Sequence, residues 1–238
     1  MSPPSQDWTA PEDFEFRALE RARNYRAALV REFTPYLRGR VLEVGAGVGQ
    51  FSARLAALPE VQQFVALEPG PRFCAEFRAR HPTCTLIEGT IDRVAPDSEW
   101  DALVSINVLE HIEADEEELA KYRRRLVARR GCLCLFVPAR QEIYAPLDRD
   151  FGHFRRYQRR DLGAKLERAG FVAVRLHYFN GLGYLAWWFN FCLLRKRHFD
   201  ARSVALFDRV IFPVMHGFER RIIRPPLGQS LVAVAQVR

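Results

Sequence analysis

The residues best suited to chemistry begin with a run of glycines and the acids on either side of it. Arg40-Val41-Leu42-Glu43-Val44-Gly45-Ala46-Gly47-Val48-Gly49-Gln50-Phe51 reads as a buried strand, a glycine turn and the start of a helix. Gly45, Gly47 and Gly49 allow a tight turn and let a ligand approach where a Cβ would obstruct it. The helix from about Gln50 to Leu58 would aim its free N–H groups at that ligand. A second apolar run, Gln63 to Pro69, ends in Glu68, about 20 residues beyond the glycines, where a carboxylate can accept from two ribose hydroxyls at once. The spacing Gly45-x-Gly47-x-Gly49 departs from G-x-G-x-x-G and argues against a dinucleotide. Two histidines could move a proton near neutral pH: His111, just after Asn107 and Glu110, and His153 in Asp148-Arg149-Asp150-Phe151-Gly152-His153-Phe154-Arg155-Arg156-Tyr157.

The pattern E-x-G-x-G-x-G, the acid ending the second strand and Ser105-Ile106-Asn107-Val108-Leu109-Glu110-His111-Ile112 together resemble class I S-adenosylmethionine-dependent methyltransferases. The resemblance covers about Asn24 to Phe171 and resumes in the last strand. It implies S-adenosylmethionine as cofactor and S-adenosylhomocysteine as product. By resemblance, Gly45, Ala46 and Gly47 would hold the methionine portion, with Glu43 beside them, and Glu68 and Pro69 the ribose. Gly89, Thr90 and Ile91 match the adenine position, with Thr90 where the family usually has an acid and Asp92 as a substitute or a surface residue. Asn107 and Val108 would reach the methionine ammonium. Asn24-Tyr25-Arg26 resembles an element that closes over the cofactor, so that Tyr25 could cover the sulfonium and Arg26 pair with the carboxylate. Arg26 could equally be an exposed arginine on an amphipathic helix.

Methyl transfer is an in-line displacement, so the protein must align a nucleophile, exclude water and, where needed, remove a proton. His111 and His153 are the candidate bases, with a loop-shaping hydrogen bond as the other reading of His111. Arg155, Arg156 and Tyr157 follow the fifth strand and could bind an anionic or hydroxylated acceptor, or the arginines could pair with Asp148 or Asp150. Tyr178, Asn180 and Trp187 complete the expected acceptor set. The Asp148–Tyr157 stretch and the LEHI run resemble bacterial methyltransferases found among small-molecule, glycan and glycolipid functions, an analogy of neighbourhood rather than chemistry.

The elements that must position these groups alternate. Buried runs at Val41–Gly45, Phe64–Glu68, Cys84–Glu88, Ala102–Ile106 and Leu133–Pro138 are separated by helices near 50–58, 71–80 and 114–128. Strands at Val172–Tyr178 and Ser230–Val237 complete an α/β, Rossmann-like, doubly wound and mostly parallel sheet of seven strands, whose last strand runs antiparallel in the family. The expected divisions are a tail and cofactor-covering helix (1–36), a cofactor-binding core (37–179), a helical insertion (180–228) and the last strand (229–238). The helix is expected over about Glu12 to Tyr36, with Thr9-Ala10-Pro11-Glu12 as capping box and Phe16, Leu19, Leu29 and Phe33 on one face. The insertion carries Tyr184, Trp187, Trp188, Phe189 and Phe191, then Arg195-Lys196-Arg197-His198. Its second helix has Phe207, Ile211, Val214, Phe218 and Ile222 on one stripe, a kink at Pro213, and Arg220, Arg221 and Arg224 near its end. It could be a lid, a dimer interface or a surface resting on a membrane.

A chain of 238 residues with 48% hydrophobic and 27% charged content can bury a sizeable core. The net charge of +7 invites a nucleic-acid partner. However, the bases of Glu113–Arg130 follow acids along one helix, the arrangement of a solvated face that complements the helix dipole. Five cysteines with no C-x-x-C pair read as core residues in a reducing cytoplasm, and no metal site is expected. The absence of a signal peptide at the start points to the cytoplasm, with the inner membrane face within reach of the insertion. The reading is therefore a methyltransferase acting on a small-molecule or lipid- or glycan-linked acceptor, with oxygen as nucleophile, as monomer or homodimer. An RNA methyltransferase and a non-catalytic cofactor-binding scaffold are the alternatives.

Overall fold

Apolar runs long enough to be covered on both faces become the middle of a sheet, and the structure builds its centre from them. In the computed structural model, residues 20–197, 201–221 and 225–238 are described. The strands are β1 (Gly39–Val44), β2 (Val61–Glu68), β3 (Thr85–Glu88), β4 (Ala102–Ile106), β5 (Cys132–Pro138), β6 (Phe171–Phe179) and β7 (Ser230–Val237). They lie in the order β3-β2-β1-β4-β5-β7-β6. β1 to β5 are parallel, and β7 runs antiparallel between β5 and β6. The strand order reverses between β1 and β4, and ligands bind such sheets outside the carboxyl ends of the strands at that point.

The helices are α1 (Arg23–Phe33), α2 (Ser52–Ala56), α3 (Pro71–Arg80), α4 (Asp115–Leu126), α5 (Pro146–Asp150), α6 (Arg159–Arg168), α7 (Gly181–Trp187), α8 (Ala201–Leu206) and α9 (Phe212–Arg221). α4 and α6 cover one face, where Leu119, Tyr122, Leu126, Leu162 and Leu166 join Leu42, Leu103 and Leu135. α1 covers the other, where Leu29 and Phe33 meet Val104, Phe136 and Phe179, and Phe212 of the insertion joins them. Cys132 and Cys134 share this second core, as small apolar side chains.

The insertion departs from the expected pattern. α7 continues as a wider π-type turn over Trp188–Leu193, and α8 runs through another, Phe207–Ile211, into α9. Trp187 and Phe191 pack on Ile143, Leu147 and Phe151, in the loop after β5 and in α5. In the second arm the buried side chains are Asp208, Phe212 and His216, while Ile211, Val214 and Phe218 of the expected stripe face outward. Pro213 falls in the first turn of α9, where the wide turn ends. Ile222, His198, Arg224 and the capping box at Thr9–Glu12 with Phe16 and Leu19 lie outside the described residues.

Asp208 explains why its own stripe, with Phe212 and His216, faces inward. Its carboxylate accepts from the backbone N–H groups of Asn24 (3.0 Å) and Tyr25 (2.8 Å), and its carbonyl accepts from the Asn24 side chain (2.9 Å). The first N–H groups of a helix lack partners within it, and α1, whose N-terminal flank Ala22 has no side-chain cap, takes them from the insertion. Asp208→Ala is expected to cost about 2 kcal/mol, seen as a Tm lowered by about 4–8 °C, with amide exchange accelerated at Asn24 and Tyr25. Unchanged exchange at those two amides would contradict the tether.

Candidate active site

The glycine turn is strained in the way its sequence implies. Gly45 has φ +71°, and the N–H groups of Gly45 and Ala46 both donate to the Leu67 carbonyl at 2.9 Å. A side chain at Gly45 would run into Val108, which lies against it from the loop after β4. Glu68, at the end of β2, accepts from the N–H groups of Gly47 and Gly70, each at 2.8 Å. Burial raises its pKa and these two bonds oppose the rise. A carboxylate held against a glycine turn at the switch point, with backbone N–H groups around it, fits the ribose and methionine portions of S-adenosylmethionine.

Glu43 lies beneath that turn, where the Ser52 hydroxyl donates to it. It supports the loop from below rather than lining a cleft. Burial lifts its pKa to about 8, opposed by the Ser52 bond and aided by the Glu68 charge. A carboxyl whose pKa rises on folding binds its proton more tightly in the folded state. Its stabilisation is therefore complete below its ordinary 4.5 and lost as the pH climbs to about 8. Urea unfolding at pH 5.5 and 8 should show Glu43→Gln gaining on the wild type as pH rises, by a few kcal/mol at about 1.4 kcal/mol per pH unit. Parallel pH profiles for the two proteins would contradict this.

At the expected adenine edge, the Gly89 N–H donates to the Glu68 carbonyl at 2.8 Å. Thr90 caps the following turn, Ile91 is wholly buried, and Asp92 is exposed and paired with Lys121 at 2.7 Å. Arg125 corrects the solvated reading of its helix. It is buried and donates to the carbonyls of Ile91 (2.9 Å) and Val94 (2.6 Å), pinning this segment. Pro69 is exposed at the end of β2. Over the glycine turn, Arg26 donates to the carbonyls of Gln50 (2.8 Å) and Glu20 (3.0 Å). Tyr25 packs edge-on to Phe136 and Phe179 and faces a cavity.

That cavity, about 410 Å³, opens at the carboxyl ends of β4 and β5, between Asn107, Phe136 and Pro138. Asn107 stands at its start, in a left-handed conformation (φ +52°) with its N–H donating to the Phe136 carbonyl at 2.9 Å. Glu110 is wholly buried in the wall, and the His153 ring lies 4.7 Å from that of His111, nearly perpendicular to it. His153 Nδ1 is 3.0 Å from Asp148, which is fully buried, accepts from Arg156 Nε at 2.8 Å and from the Ala145 N–H at 2.8 Å. An ionised carboxylate can only accept, so Nδ1 carries a proton. The Arg156 guanidinium lies 4.2 Å from the centre of the Trp187 ring, whose indole N–H donates to the Ile143 carbonyl at 3.0 Å. His111 keeps an exposed edge although protein surrounds most of it. That burial, then the charge of His153, lowers its pKa to about 4, while a bond to the Gly152 backbone opposes the fall.

The structure thus brings Tyr25, Asn107, His153, Arg156, Asn180 and Trp187 to one cavity. It does not bring four others there. His111, the other expected base, stands beside His153 but is not among the lining residues. Arg155 turns outward to Asp115 (2.7 Å) and the Glu113 carbonyl (2.8 Å). Tyr157 is buried with its hydroxyl on Asp115 at 2.9 Å. Tyr178 joins the core on the α4–α6 face, beside Arg140. Asn180 lines the cavity, but its side chain caps α7 and donates to Gln229. The structure adds Asp148 behind His153, which the sequence offered only as an arginine partner, and Phe136, Phe191, Phe207 and Asp208 in the cavity wall; for Asp208 the one signal was an acid four residues from Phe212 in an apolar arm.

Residues 41–131 match a family model described as a methyltransferase domain. A search of curated proteins returns no match. Among solved structures, the chain is similar to one from the complex between the Haloferax volcanii Trm112 methyltransferase activator and a methyltransferase, at 16% identity and a TM-score of 0.62 over 95% of this chain and 93% of that one. It is also similar to an S-adenosylmethionine-dependent methyltransferase of Archaeoglobus fulgidus (18%, TM-score 0.59, 89% and 92%) and another of Mesorhizobium loti (16%, 0.58, 88% and 96%). At such identities these structures speak for the fold alone, and the match over residues 41–131 marks a methyltransferase domain within this chain.

Proposed function

We propose that the enzyme methylates a hydroxyl of an amphiphilic acceptor, a lipid- or glycan-linked molecule or a small molecule of similar character, in the cavity between β4 and the insertion. The observation that carries this reading is the buried Asp148–His153 pair in the wall of a cavity that starts at Asn107. When bound, S-adenosylmethionine supplies an electrophilic methyl whose bond electrons return to sulfur. Glu68 and the Gly45–Gly47 backbone would hold that cofactor, and Tyr25 would close the side facing the acceptor. His153 Nε2 takes the proton as the acceptor oxygen attacks, and Asp148 stabilises the imidazolium that forms. Phe136, Trp187 and Phe191 exclude water and suit an apolar portion, while Arg156 supplies positive charge for an anionic or hydroxylated one.

The insertion adds support for an acceptor at a membrane surface. Trp188, Phe189, Leu193 and Leu194 on one arm and Val210, Val214 and Phe218 on the other are exposed, Val214 by 70%. Such a patch next to Arg195, Lys196 and Arg197 suits peripheral contact with an anionic bilayer. Among the described residues no helix is long and apolar enough to cross a membrane. RNA is less well supported, since Arg78, Arg129, Arg155 and Arg168 are each paired with an acid.

The test is transfer of labelled methyl from S-adenosylmethionine into host extract, resolved into lipid, small-molecule, protein and RNA fractions. Label in the lipid or small-molecule fraction, sensitive to mild acylation of acceptor hydroxyls, is the expected result. Label confined to RNA or protein would overturn the acceptor assignment. Tight cofactor binding without label anywhere would favour a non-catalytic role.

A further inference from the structure

Beyond acid–base chemistry, two side chains of the cavity wall, Glu110 and His153, form with the neighbouring His111 a group with the composition of a metal centre. One ligand atom each from Glu110, His111 and His153 lies within 4.8 Å of the other two. Metal–nitrogen and metal–oxygen bonds of about 2.0–2.2 Å put two donors of a tetrahedral ion about 3.3–3.6 Å apart, so a pair 4.8 Å apart would have to close by more than about 1 Å. His111, with its exposed edge on the turn after β4, is the member with room to move.

What distinguishes this trio from a chance cluster is the way both imidazoles are held. A histidine that ligates a metal almost always gives its other ring N–H to a carboxylate or a backbone carbonyl. His153 gives Nδ1–H to the buried Asp148, itself anchored by Arg156 Nε and the Ala145 N–H. His111 bonds the backbone of Gly152. With Nδ1 held by Asp148, a metal ion on His153 would take Nε2. Glu110, wholly buried, supplies the negative charge.

We propose that Glu110, His111 and His153 bind one divalent transition-metal ion of the zinc class, whose open positions face the acceptor cavity. Two imidazoles and one carboxylate suit Zn²⁺ and its first-row neighbours, whereas Mg²⁺ and Ca²⁺ prefer all-oxygen sets. Three protein ligands leave a position for an outer oxygen, as in catalytic zinc sites. The ion would take the acceptor hydroxyl there and lower its pKa, the proton leaving to solvent water. This inference rests on the proposed hydroxyl acceptor for its purpose, with the ion replacing His153 as the activating group, but not for the existence of the site.

The experiment is equilibrium binding of Zn²⁺ to the chelator-stripped full-length protein, by dialysis and elemental analysis, with S-adenosylmethionine binding measured in the same samples. The expected result is one Zn²⁺ per chain with little competition from a large excess of Mg²⁺. Asp148→Asn should weaken Zn²⁺ by about 10–100-fold, and Glu110→Gln, His111→Ala and His153→Ala by at least as much. His111→Ala, at the exposed rim, is the variant that should fold without difficulty, and retained cofactor binding verifies this. Cobalt substitution should give a visible absorption band in the wild type that His111→Ala and His153→Ala both lose. Zinc affinity unchanged in His111→Ala and His153→Ala would overturn the site. Absence of metal binding with methyl transfer intact would leave His153 as the base, whereas metal bound at these residues without transfer to any hydroxyl would remove the acceptor reading and keep the site.

Discussion

Glu68→Ala is expected to raise the dissociation constant for S-adenosylmethionine by at least about 100-fold while the protein stays folded. A carboxylate that receives two ribose hydroxyls makes two charge-assisted bonds worth about 1.5–3 kcal/mol each, and 1.4 kcal/mol is a factor of ten. The same side chain also organises its own binding loop, since the N–H groups of Gly47 and Gly70 both point at it. The alanine variant therefore loses direct contacts and the shape of the turn. Calorimetric titration of cofactor and product, with circular dichroism to verify the fold, measures the effect. Glu68→Gln keeps an acceptor for one of the two N–H groups and should fall between wild type and alanine. Unimpaired binding by a folded Glu68→Ala protein would move the cofactor away from the switch point.

The second large effect is expected at His153. His153→Ala should lower kcat by about 10²–10⁴-fold, the usual worth of a positioned proton acceptor. Cofactor binding should change little, because His153 lines the proposed acceptor cavity and does not touch the glycine turn or Glu68. The loss is expected whether His153 takes the proton itself or holds the ion that acidifies the hydroxyl. Asp148→Asn is a less clean probe of rate. It removes a buried charge that also pairs with Arg156, a break that costs about 3–5 kcal/mol in other proteins. Full activity in His153→Ala with a measured acceptor would mean that positioning alone suffices.

The sheet and its glycine turn were legible because they rest on local signals. β4 and β7 end where their apolar runs end, and the glycine turn with Glu68 sits where chain spacing puts it. Side-chain direction on extended segments was harder to read. Arg155 and Arg156 are neighbours that point to opposite sides, one to Asp115 and one into the cavity. Tyr178 and Asn180 have the spacing of residues on one strand face, yet β6 stops at Phe179 and Asn180 adopts a left-handed φ of +61°. Alternation therefore ends before it reaches Asn180, and Tyr178 packs on the opposite face.

The insertion's phase was hidden for a different reason. Phe207, Ile211, Val214 and Phe218 form the more apolar stripe, so periodicity favours burying them. The buried stripe is instead the one with Asp208, whose partners Asn24 and Tyr25 lie 184 and 183 residues away in the chain. No local pattern encodes a cap supplied from that distance. Of the apolar stripe, Phe207 is half-buried, and the exposed Ile211, Val214 and Phe218 favour a surface partner. Arg125 was concealed in the same way: one arginine in a basic run is buried because three carbonyls receive it, those of Lys121, Ile91 and Val94.

The measurement that tests the account most directly is a crystal structure with S-adenosylhomocysteine bound. The account predicts ribose hydroxyls on Glu68, the amino-acid portion over Gly45–Gly47, and the thioether sulfur directed past Asn107 into the cavity walled by His153 and Trp187. A sulfur directed away from that cavity would contradict the account, because the acceptor and its activating group would then have to lie elsewhere.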